Sequence, residues 1–504
     1  MATIEDASAL VDVMYNELRN RRPAIHTIDR YYRGDHRLKF ASEQFAKYHA
    51  DRYKGFADNW VPLVSDAPVE RLTWQGIHAN GEAQADKEIW RVWQTNGLDV
   101  DSQLGFLGAI NSGRSFVLVW GNPDDEQTPM VTFEDASQCI IAYVPGSRRL
   151  RRAALKTWQD GNREFATLYL PDEVWKFERP LSQNTKTHAD AAIDEELDKW
   201  ATRDMGDSEP NPQPNPMGVV PMVELQNKPT LLADPISDVT GVISMQDGVN
   251  LLWSLLFTAS DYAGFKQRLI LGAERPMIPI LDDKGTVIGE RPVDMERFAI
   301  DRIAFVTDEN AKVAEFSETN LTAFTEIIET AIGHIAAQTR TPQHYLIGKI
   351  ANLSSDALIA AEGGLVKRTQ EKQLWFGAAI REAAALIALA QGNTAKAEAL
   401  RAGRSLWADE EFRSQSQLAD ALLKLSQVGF PFEYLAAKWG LTPQEVAEVV
   451  EMRRRQAETD PIAEIARNLN APNSGTPGEG PTQPVQGDGQ GGTPPVGGAG
   501  STAA

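Results

Sequence analysis

Residues Asn320–Arg340 read NLTAFTEIIETAIGHIAAQTR, and this stretch decides how the rest of the chain is organised. Its apolar residues recur at steps of three and four, which places them on one face of a helix. They are Leu321, Phe324, Ile328, Ala331 and Ile335. Glu326 and Glu329 lie on the opposite, polar face and are the only formal charges before Arg340. Thr341–Pro342 ends the run, because the residue before a proline disfavours helical backbone.

A second stretch, 239–265, has the same character. Its apolar residues also share one face of a helix, and they are Val242, Met245, Val249, Leu252 and Leu256. Asp247 and Asp261 are its only charges, so the polar faces of both helices carry no lysine or arginine. By periodicity alone, the two stretches are amphipathic core helices of a globular protein. A short β-like segment separates them, so this region reads helix, β insert, helix.

The composition narrows the class of protein. The chain has 504 residues, with 50 Lys and Arg against 70 Asp and Glu, and a formal net charge of −20. Phosphate binding needs clustered cations, so such an acidic chain is a poor candidate for wrapping nucleic acid tightly. Cys139 is the only cysteine, which excludes an intrachain disulfide framework and a cysteine-based zinc site. The first residues lack the apolar segment of a secretory signal, and the apolar run 383–390 is too short to span a bilayer. We therefore expect a soluble protein or a part of a soluble assembly.

Strand signals dominate the first half of the chain. Short β-rich runs separated by turn residues predict an antiparallel, hairpin-linked region, and they are 115–120, 130–133, 139–144, 153–158, 164–169 and 173–177. Residues 179–219 lose this periodicity, and prolines at 210, 212, 214 and 216 alternate with polar residues. That composition predicts a long flexible loop. In the insert, 277–281 and 286–290 predict one hairpin, and 302–306 with 312–316 predict another.

Helical signals fill most of the remaining sequence. At the start, a helix over 3–20 is predicted to be followed by a separate short helical piece that begins at Pro23. Residues 341–353 are predicted as a loop and 354–391 as a long helix with a kink at Gly363–Gly364. Further helices are predicted over 414–427, 433–439 and 442–456. The tail 471–504 is rich in Gly and Pro and has no aromatic residue, so it is predicted to be disordered.

No motif for catalysis or metal binding stands out. Gly348–Lys349 fails the P-loop pattern, because Gln343 and Ile350 stand where that pattern needs Gly and Ser or Thr. The seven histidines include no helical zinc pair. Five cations between Arg148 and Lys156 form the one dense basic cluster, which either contacts an acidic partner or pairs with nearby acids. Residues 441–446 are similar to part of a helix-turn-helix, but the glutamates that follow argue against groove binding.

In their order along the chain, these segments resemble a portal protein of tailed bacteriophages, of the kind found in long-tailed siphoviruses. The resemblance covers roughly residues 5–460. Its local marks are Tyr31–His36 (YYRGDH), Asn59–Trp60 with Glu70–Leu72 following, Gly113–Val117 (GRSFV), the helix–insert–helix at 239–340, Thr341–Leu346 (TPQHYL), and Trp407 to Gly429 with Asp420 and Lys424.

The resemblance implies an α+β, mainly helical fold with the wing, stem, clip and crown regions of portals, assembled as a ring. Residues 1–230 would be the wing, with a Pro-rich surface loop at 203–221. The stem helices would be 231–265 and 320–340, with the clip at 266–319 between them. The tunnel loop and long wing helix would occupy 341–392, the crown helices 393–470, and a disordered tail 471–504.

It also implies site residues and partners, with no cofactor and no catalysis. Asp247, Glu326 and Glu329 would face the channel, unless they pair with Arg268 or Arg340 between subunits. Candidate tunnel-loop residues are His344, Tyr345, Leu346 and Lys349, which would either touch DNA or only pack. Asp282, Asp283 and Lys284 would lie in the clip and contact the terminase or an adaptor. About twelve copies would form a ring at one capsid vertex, through which double-stranded DNA passes.

The expected partners are the large terminase subunit, scaffold, major capsid protein and head-completion or tail adaptors, with no membrane. The protein would occupy the virion, and the host cytoplasm during assembly. Two alternatives stay open. The first is a minor capsid or adaptor protein that forms no ring. The second is a metal-dependent nuclease that uses turn acids such as Asp282 and Asp283.

Overall fold

The computed structural model describes residues 3–36, 56–82, 84–181, 199–206, 209–264, 268–271, 277–292, 312–315, 320–347, 355–411 and 415–459. The helices are α1 (Ile4–Tyr32), α2 (Val61–Val69), α3 (Lys87–Thr95), α4 (Leu98–Ser112), α5 (Ile243–Gly264), α6 (Leu321–Thr339), α7 (Gln343–Ile347), α8 (Ser355–Ala390), α9 (Thr394–Arg401), α10 (Gln415–Gln427), α11 (Phe432–Trp439) and α12 (Pro443–Thr459). The part up to Val446 forms one compact unit, and the rest of α12 belongs to a second.

The strands are β1 (Trp74–His78), β2 (Arg114–Trp120), β3 (Met130–Glu134), β4 (Cys139–Tyr143), β5 (Arg151–Asp160), β6 (Arg163–Tyr169), β7 (Glu173–Pro180), β8 (Ala201–Thr202), β9 (Gln213–Pro214), β10 (Met222–Gln226), β11 (Arg268–Leu271), β12 (Met277–Leu281), β13 (Val287–Pro292), β14 (Lys312–Glu315) and β15 (Arg404–Trp407). With these helices, they make the fold α+β, as the sequence predicts.

Two antiparallel sheets make the β-region. One has the order β10-β2-β3, with Val117 opposite Phe133 on one side and opposite Val223 on the other. The second runs β4-β5-β6-β7-β8, and β9 also pairs with β7. The six strands predicted between 115 and 177 are therefore confirmed. One apolar cluster joins the two sheets, since Phe116 and Leu118 of β2 pack with Ile141 of β4 and Ala154 of β5.

The largest apolar core lies where the first sheet meets the long helix α8. It gathers buried residues from β2, β3, α3, α4 and the second half of α8. Phe106 of α4 stacks on Phe376 of α8, with ring centroids 5.5 Å apart. The short sheet of β1 and β15 closes the same core, with Trp74 opposite Trp407. Helix α9 and β15, which the resemblance assigns to the crown region, thus pack with β1 and α8.

By length and hydropathy alone, Ile359–Ala390 of α8 could cross a membrane, but more than half of its apolar window is buried inside the protein. The helix therefore owes its apolar character to the core it fills.

Helix α1 corrects the prediction of two separate N-terminal helices. It is one helix of 29 residues with Pro23 inside it. Its first half packs on the second sheet through Val11, Met14 and Leu18, and its second half packs on α5 and α6 through Ile28 and Tyr31. Proline removes only one backbone donor, and burial at both ends of the helix outweighs that loss.

The Pro-rich segment is ordered where it is described, which corrects the prediction of a flexible loop over 179–219. The Asn211 side chain bonds both backbone groups of Lys176, donating to the carbonyl oxygen at 2.8 Å and accepting from the amide at 3.0 Å. The Asn215 amide donates to the carbonyls of Leu170 and Val219 at 2.9 and 2.8 Å. These asparagine side chains supply the hydrogen bonds that the neighbouring prolines cannot make.

The insert confirms one hairpin and corrects another. Strands β12 and β13 pair as predicted. Strand β14, predicted to pair with 302–306, pairs instead with β11, so that Leu271 lies opposite Lys312. Residues 302–306 lie outside the described residues, as does the tail 471–504. The segment predicted as the loop 341–353 begins with the short helix α7, and α8 is one continuous helix across Gly363–Gly364.

Gly105 of α4 gives a test of this packing. A Cβ at Gly105 would lie 2.0 Å from Cδ1 of Phe133, far inside van der Waals contact. We expect Gly105→Ala to lower the free energy of unfolding by about 2 kcal/mol. Gly108→Ala in the same helix is the matched control, because its Cβ would lie 3.6 Å from Cβ of Ser115. The control should gain up to about 1 kcal/mol from helix propensity. Urea unfolding midpoints compare the two, and equal midpoints would contradict the close approach.

Candidate channel wall and the contacts that hold it

Helices α5 and α6 pack against each other along the apolar faces that the sequence predicts. Ile328, Ile332 and Ile335 of α6 share a buried cluster with Val249 and Leu256 of α5. Asn320 caps α6 by accepting a hydrogen bond from the Thr322 amide at 3.0 Å. At about 1.5 Å per residue, the 22 residues of α5 and the 19 of α6 make a pair of rods roughly 30 Å long.

The outer face of α6 is the most open acidic surface of this pair. Glu326 and Glu329 are both exposed, as are Thr322, Thr330 and Gln338 of the same polar face. Arg340, which the sequence offers as a partner for these acids, forms an ion pair with Glu371 of α8 at 3.1 Å. The side chain of Arg268 lies outside the described residues.

Asp247 occupies a different environment from the two glutamates. Its carboxylate is half-buried and accepts a hydrogen bond from the Tyr31 hydroxyl of α1 at 2.7 Å. Burial, and then this bond, raise the pKa of Tyr31 to about 12, so the hydroxyl keeps its proton at neutral pH. Within one copy of the chain, Asp247 thus fixes α1 to α5, a role that helical spacing does not reveal.

The polar face of α5 binds residues 58–60, which lie just before α2. Gln246 accepts a hydrogen bond from the Trp60 amide at 2.9 Å, and Asn250 accepts one from the Asp58 amide at 3.0 Å. The Trp253 indole donates to the Asp58 carboxylate at 2.7 Å. Gln246 and Asn250 are fully buried. We call these contacts of Gln246, Asn250 and Trp253 the clasp. Sequence reasoning missed the clasp, although two amides and a tryptophan at steps of four and three signal a helix face that binds backbone.

A buried ionic network ties this helix pair to α2 and α8. Asp238, just before α5, accepts hydrogen bonds from Arg368 and Lys372 of α8 at 3.0 and 2.7 Å. Arg368 also donates to the carbonyl oxygens of Thr339 and Val64 at 2.9 and 2.6 Å. These contacts join α5, the end of α6, α2 and α8.

Electrostatics within the network favour an ionised Asp238. Burial acts to raise the pKa of Asp238, but Arg368, Lys372 and Lys228 outweigh it and hold the pKa below its ordinary value. Burial lowers the pKa of Lys372 to about 8, and the attraction of Asp238 only partly offsets that effect. Lys372 has no exposed side-chain surface, and its ammonium also donates to Asn227 Oδ1 at 2.6 Å. Sequence reasoning missed this cluster, because its members are far apart along the chain.

The predicted tunnel-loop residues lie against α8. Leu346 is buried in the core of α5 and α6, which favours its packing role. The Tyr345 hydroxyl accepts a hydrogen bond from Arg71 at 2.9 Å, and Arg71 pairs with Glu362 at 2.8 Å. His344 Nε2 lies 3.8 Å from the same Glu362 carboxylate. Lys349 lies outside the described residues.

The insert places its acids at the tip of a hairpin. Asp282 Oδ1 accepts hydrogen bonds from the amides of Lys284 and Thr286 at 2.9 and 2.8 Å, so this carboxylate shapes the turn. Gly285 has φ +83°, which favours glycine. Asp283 and Lys284 are exposed. Across the described residues, no group of three or more His, Cys, Asp or Glu is placed to hold a metal ion.

Part of the basic cluster pairs with acids, as one of the two sequence interpretations has it. Arg151 binds Glu382 of α8 at 2.7 Å, and Lys156 binds Glu134 at 2.6 Å. Arg149 and Arg152 stay exposed.

The architecture is therefore α+β: packed sheets and helices are joined to a helix pair that has a β insert between its two helices. The chain belongs to the phage portal protein family of the SPP1 Gp6-like type, whose family model matches residues 12–460. Its function is that of a phage portal protein, and this interpretation is supported over the minor-capsid and nuclease alternatives. Proteins of this family are structural components of the virion at the capsid vertex.

Two relatives of the chain are also phage portal proteins. The portal proteins of Mycobacterium phages L5 and D29 are each 28% identical to the chain over 413 residues, which is 79% of this chain and 78% of theirs. A chain from the neck of an empty gene transfer agent particle is also similar, with 11% identity and a TM-score of 0.41 over 80% of this chain and 95% of that one.

The buried network supplies a second prediction. Asp238→Asn leaves Arg368 and Lys372 without their buried counter-charge, so we expect the free energy of unfolding to fall by about 3–5 kcal/mol. Asp420→Asn is the control, because Asp420 pairs with Lys424 at 2.7 Å on an exposed surface, where a pair contributes at most about 1 kcal/mol. Urea unfolding at pH 7 measures both variants.

The contribution of Asp238 to the free energy of unfolding should change with pH in one direction. Because the folded-state pKa of Asp238 is depressed, its contribution is present above about pH 4 and is lost as the pH falls through the folded-state value. Asp238→Asn should therefore reduce the loss of stability at acid pH. For the preceding prediction, an Asp238→Asn variant as stable as the wild type at pH 7 would show that the network does not hold α5 and α6 to α8.

Proposed function

We propose that about twelve copies of this chain form a closed ring at one capsid vertex, and that double-stranded DNA enters and leaves the head through its centre. In this ring α5 and α6 are the stem, the insert with β12 and β13 is the clip, and α10 to α12 belong to the crown. Membership of the portal family is the observation that carries this proposal.

Glu326 and Glu329 are the residues that face the channel in this arrangement. They are exposed on α6, and the side opposite them is committed to α5 through the buried isoleucines. DNA carries about one negative charge per 1.7 Å of its axis, so an acidic wall repels it and prevents tight phosphate binding. Asp247 is less available to face the channel, because its carboxylate accepts a hydrogen bond from the Tyr31 hydroxyl.

The partners follow from this arrangement. The clip tip, with Asp283 and Lys284 exposed, is the surface that we assign to the large terminase subunit during packaging and to a head-completion or tail adaptor afterwards. The wing would meet scaffold and major capsid protein while the particle assembles in the host cytoplasm. His344 and Tyr345 hold α7 to α8 through Glu362 and Arg71, so they would position the tunnel loop.

Assembly state is the test of the ring. Light scattering gives the mass of the purified chain, and negative-stain microscopy gives its shape. We expect particles of roughly a dozen subunits with an axial hole. A chain that stays monomeric across the micromolar range, while its circular dichroism shows it folded, would contradict the proposal.

The channel wall has its own test. Glu326→Lys with Glu329→Lys reverses two charges per copy, and the resulting ring of cations should bind duplex DNA at least about tenfold more tightly at low salt than the wild-type ring does. Fluorescence anisotropy against salt concentration measures this. Asp124→Lys with Glu126→Lys is the control, since it makes the same charge change on an exposed loop of the wing. An equal gain in the control would mean that net charge, and not a channel position, explains the effect.

A further inference from the structure

A short loop after β10 exposes two leucines to solvent. Leu231 is 80% exposed and Leu232 is 101% exposed, between Pro229 and Pro235. Within the loop, the Thr230 hydroxyl accepts a hydrogen bond from the Ala233 amide at 3.1 Å, which closes a turn with the leucines at its tip. We call Leu231 and Leu232 the knob. Together they form a small apolar surface that is open to contact with a partner.

The knob is fixed to the wing from both sides. On one side, Arg114 pairs with Asp234 at 2.6 Å, and Arg21 lies 3.7 Å from the same carboxylate. On the other side, Arg148 donates a hydrogen bond to the Thr230 carbonyl. A knob held in this way loses little conformational entropy when it binds a partner.

A basic residue touches the base of the knob. Arg148 donates a hydrogen bond to the knob loop, the next residue Arg149 is exposed, and Arg152 is exposed at the start of β5. In a chain of net charge −20, such a local cluster of cations stands out. A partner surface for the knob is therefore apolar in the middle and acidic at its rim.

The chain carries such a surface on α4. Val100 and Leu104 are 65% and 63% exposed and lie one helical turn apart, so their side chains share one face. Asp99 and Asp101 stand in the first turn of the helix beside them. We call Val100 and Leu104 the socket. Its chemistry complements that of the knob in both apolar surface and sign of charge.

The socket lies on the N-terminal half of α4, and the knob loop lies beside its C-terminal end. The helix ends at Gly113, where an added Cβ would lie 2.7 Å from the Pro235 carbonyl oxygen of the knob loop. The carbonyl of Gly113 also accepts a hydrogen bond from the Asn227 amide at 2.9 Å. At about 1.5 Å per residue, Leu104 lies about 13 Å and Val100 about 20 Å from Gly113 along the helix. Leu231 and Leu232 are 80% and 101% exposed, so the knob does not contact the socket of its own copy.

We propose that the knob of one copy docks on the socket of the next, which makes a head-to-tail contact between wings. The two patches differ and lie at separate places on the subunit, so their contact is a heterologous interface, which generates a ring when its rotation closes. Charge complementarity at this contact offsets the repulsion between copies that each carry −20. This inference rests on the proposed ring and names a surface within it.

Cysteine crosslinking tests the contact in the full-length protein. The double variant Leu232→Cys with Leu104→Cys, treated with a short bis-maleimide, should give a ladder of covalent oligomers on a denaturing gel. Each single variant should give none, since a head-to-tail contact brings residue 232 against residue 104 and not against a second copy of itself. The native Cys139 is buried and stays unreactive, and the wild-type chain verifies this.

The matched control pairs Leu232→Cys with Val13→Cys, since Val13 on α1 is also 65% exposed. It should give no ladder. A ladder in the control, dimers from Leu232→Cys alone, or no ladder from the knob–socket pair would each overturn the inference.

Mass measurement on the same samples before crosslinking separates the two proposals. Rings without a knob–socket ladder would leave the proposed function standing and remove this contact. Monomers throughout would overturn the ring, and the contact with it.

Discussion

The junction between the helix pair α5–α6 and the long helix α8 depends on one buried carboxylate. Asp238 binds Arg368 and Lys372 of α8, and Arg368 in turn reaches the backbone of Thr339 and Val64. A buried charge costs several kcal/mol unless its partners have good geometry, so few other arrangements of these elements are tolerable. The network therefore restricts the direction in which α5 and α6 leave α8.

Around this junction, the two helices divide their roles. Helix α5 is held on its polar side, where Tyr31 binds Asp247 and the buried amides of Gln246 and Asn250 bind the segment before α2. Helix α6 leaves its polar side open, with Glu326 and Glu329 exposed. A helix pair in which α5 is held by hydrogen bonds and α6 is exposed suits the proposed channel wall. The exposed face can be acidic, because it buries no unpaired charge.

Helix α4 links the core to the proposed contact between copies. Its middle packs tightly, since Gly105 lies against Phe133 and Phe106 stacks on Phe376. Its N-terminal half carries the socket, and its C-terminal end meets the base of the knob loop. Because the interior of a protein is closely packed and resists deformation, such a helix keeps the two surfaces at a fixed separation. That constancy is what a closed ring of identical subunits requires.

The sequence by itself determined the elements that obey a local rule. Period-two and helical patterns gave the strands from 115 to 177, the helix pair and the β12–β13 hairpin, because each pattern reports which side of an element is buried. The order of these elements carried the portal resemblance. Tertiary structure decided what depends on residues distant in sequence: the strand pairing of the Pro-rich segment, the partner of β14, the clasp on α5 and the network at Asp238. Helical spacing placed Asp247, Glu326 and Glu329 alike on the polar faces of their helices. Only the tertiary structure showed that Asp247 binds Tyr31 while the two glutamates are exposed, because the periodicity of a helix does not encode which distant residue lies against it.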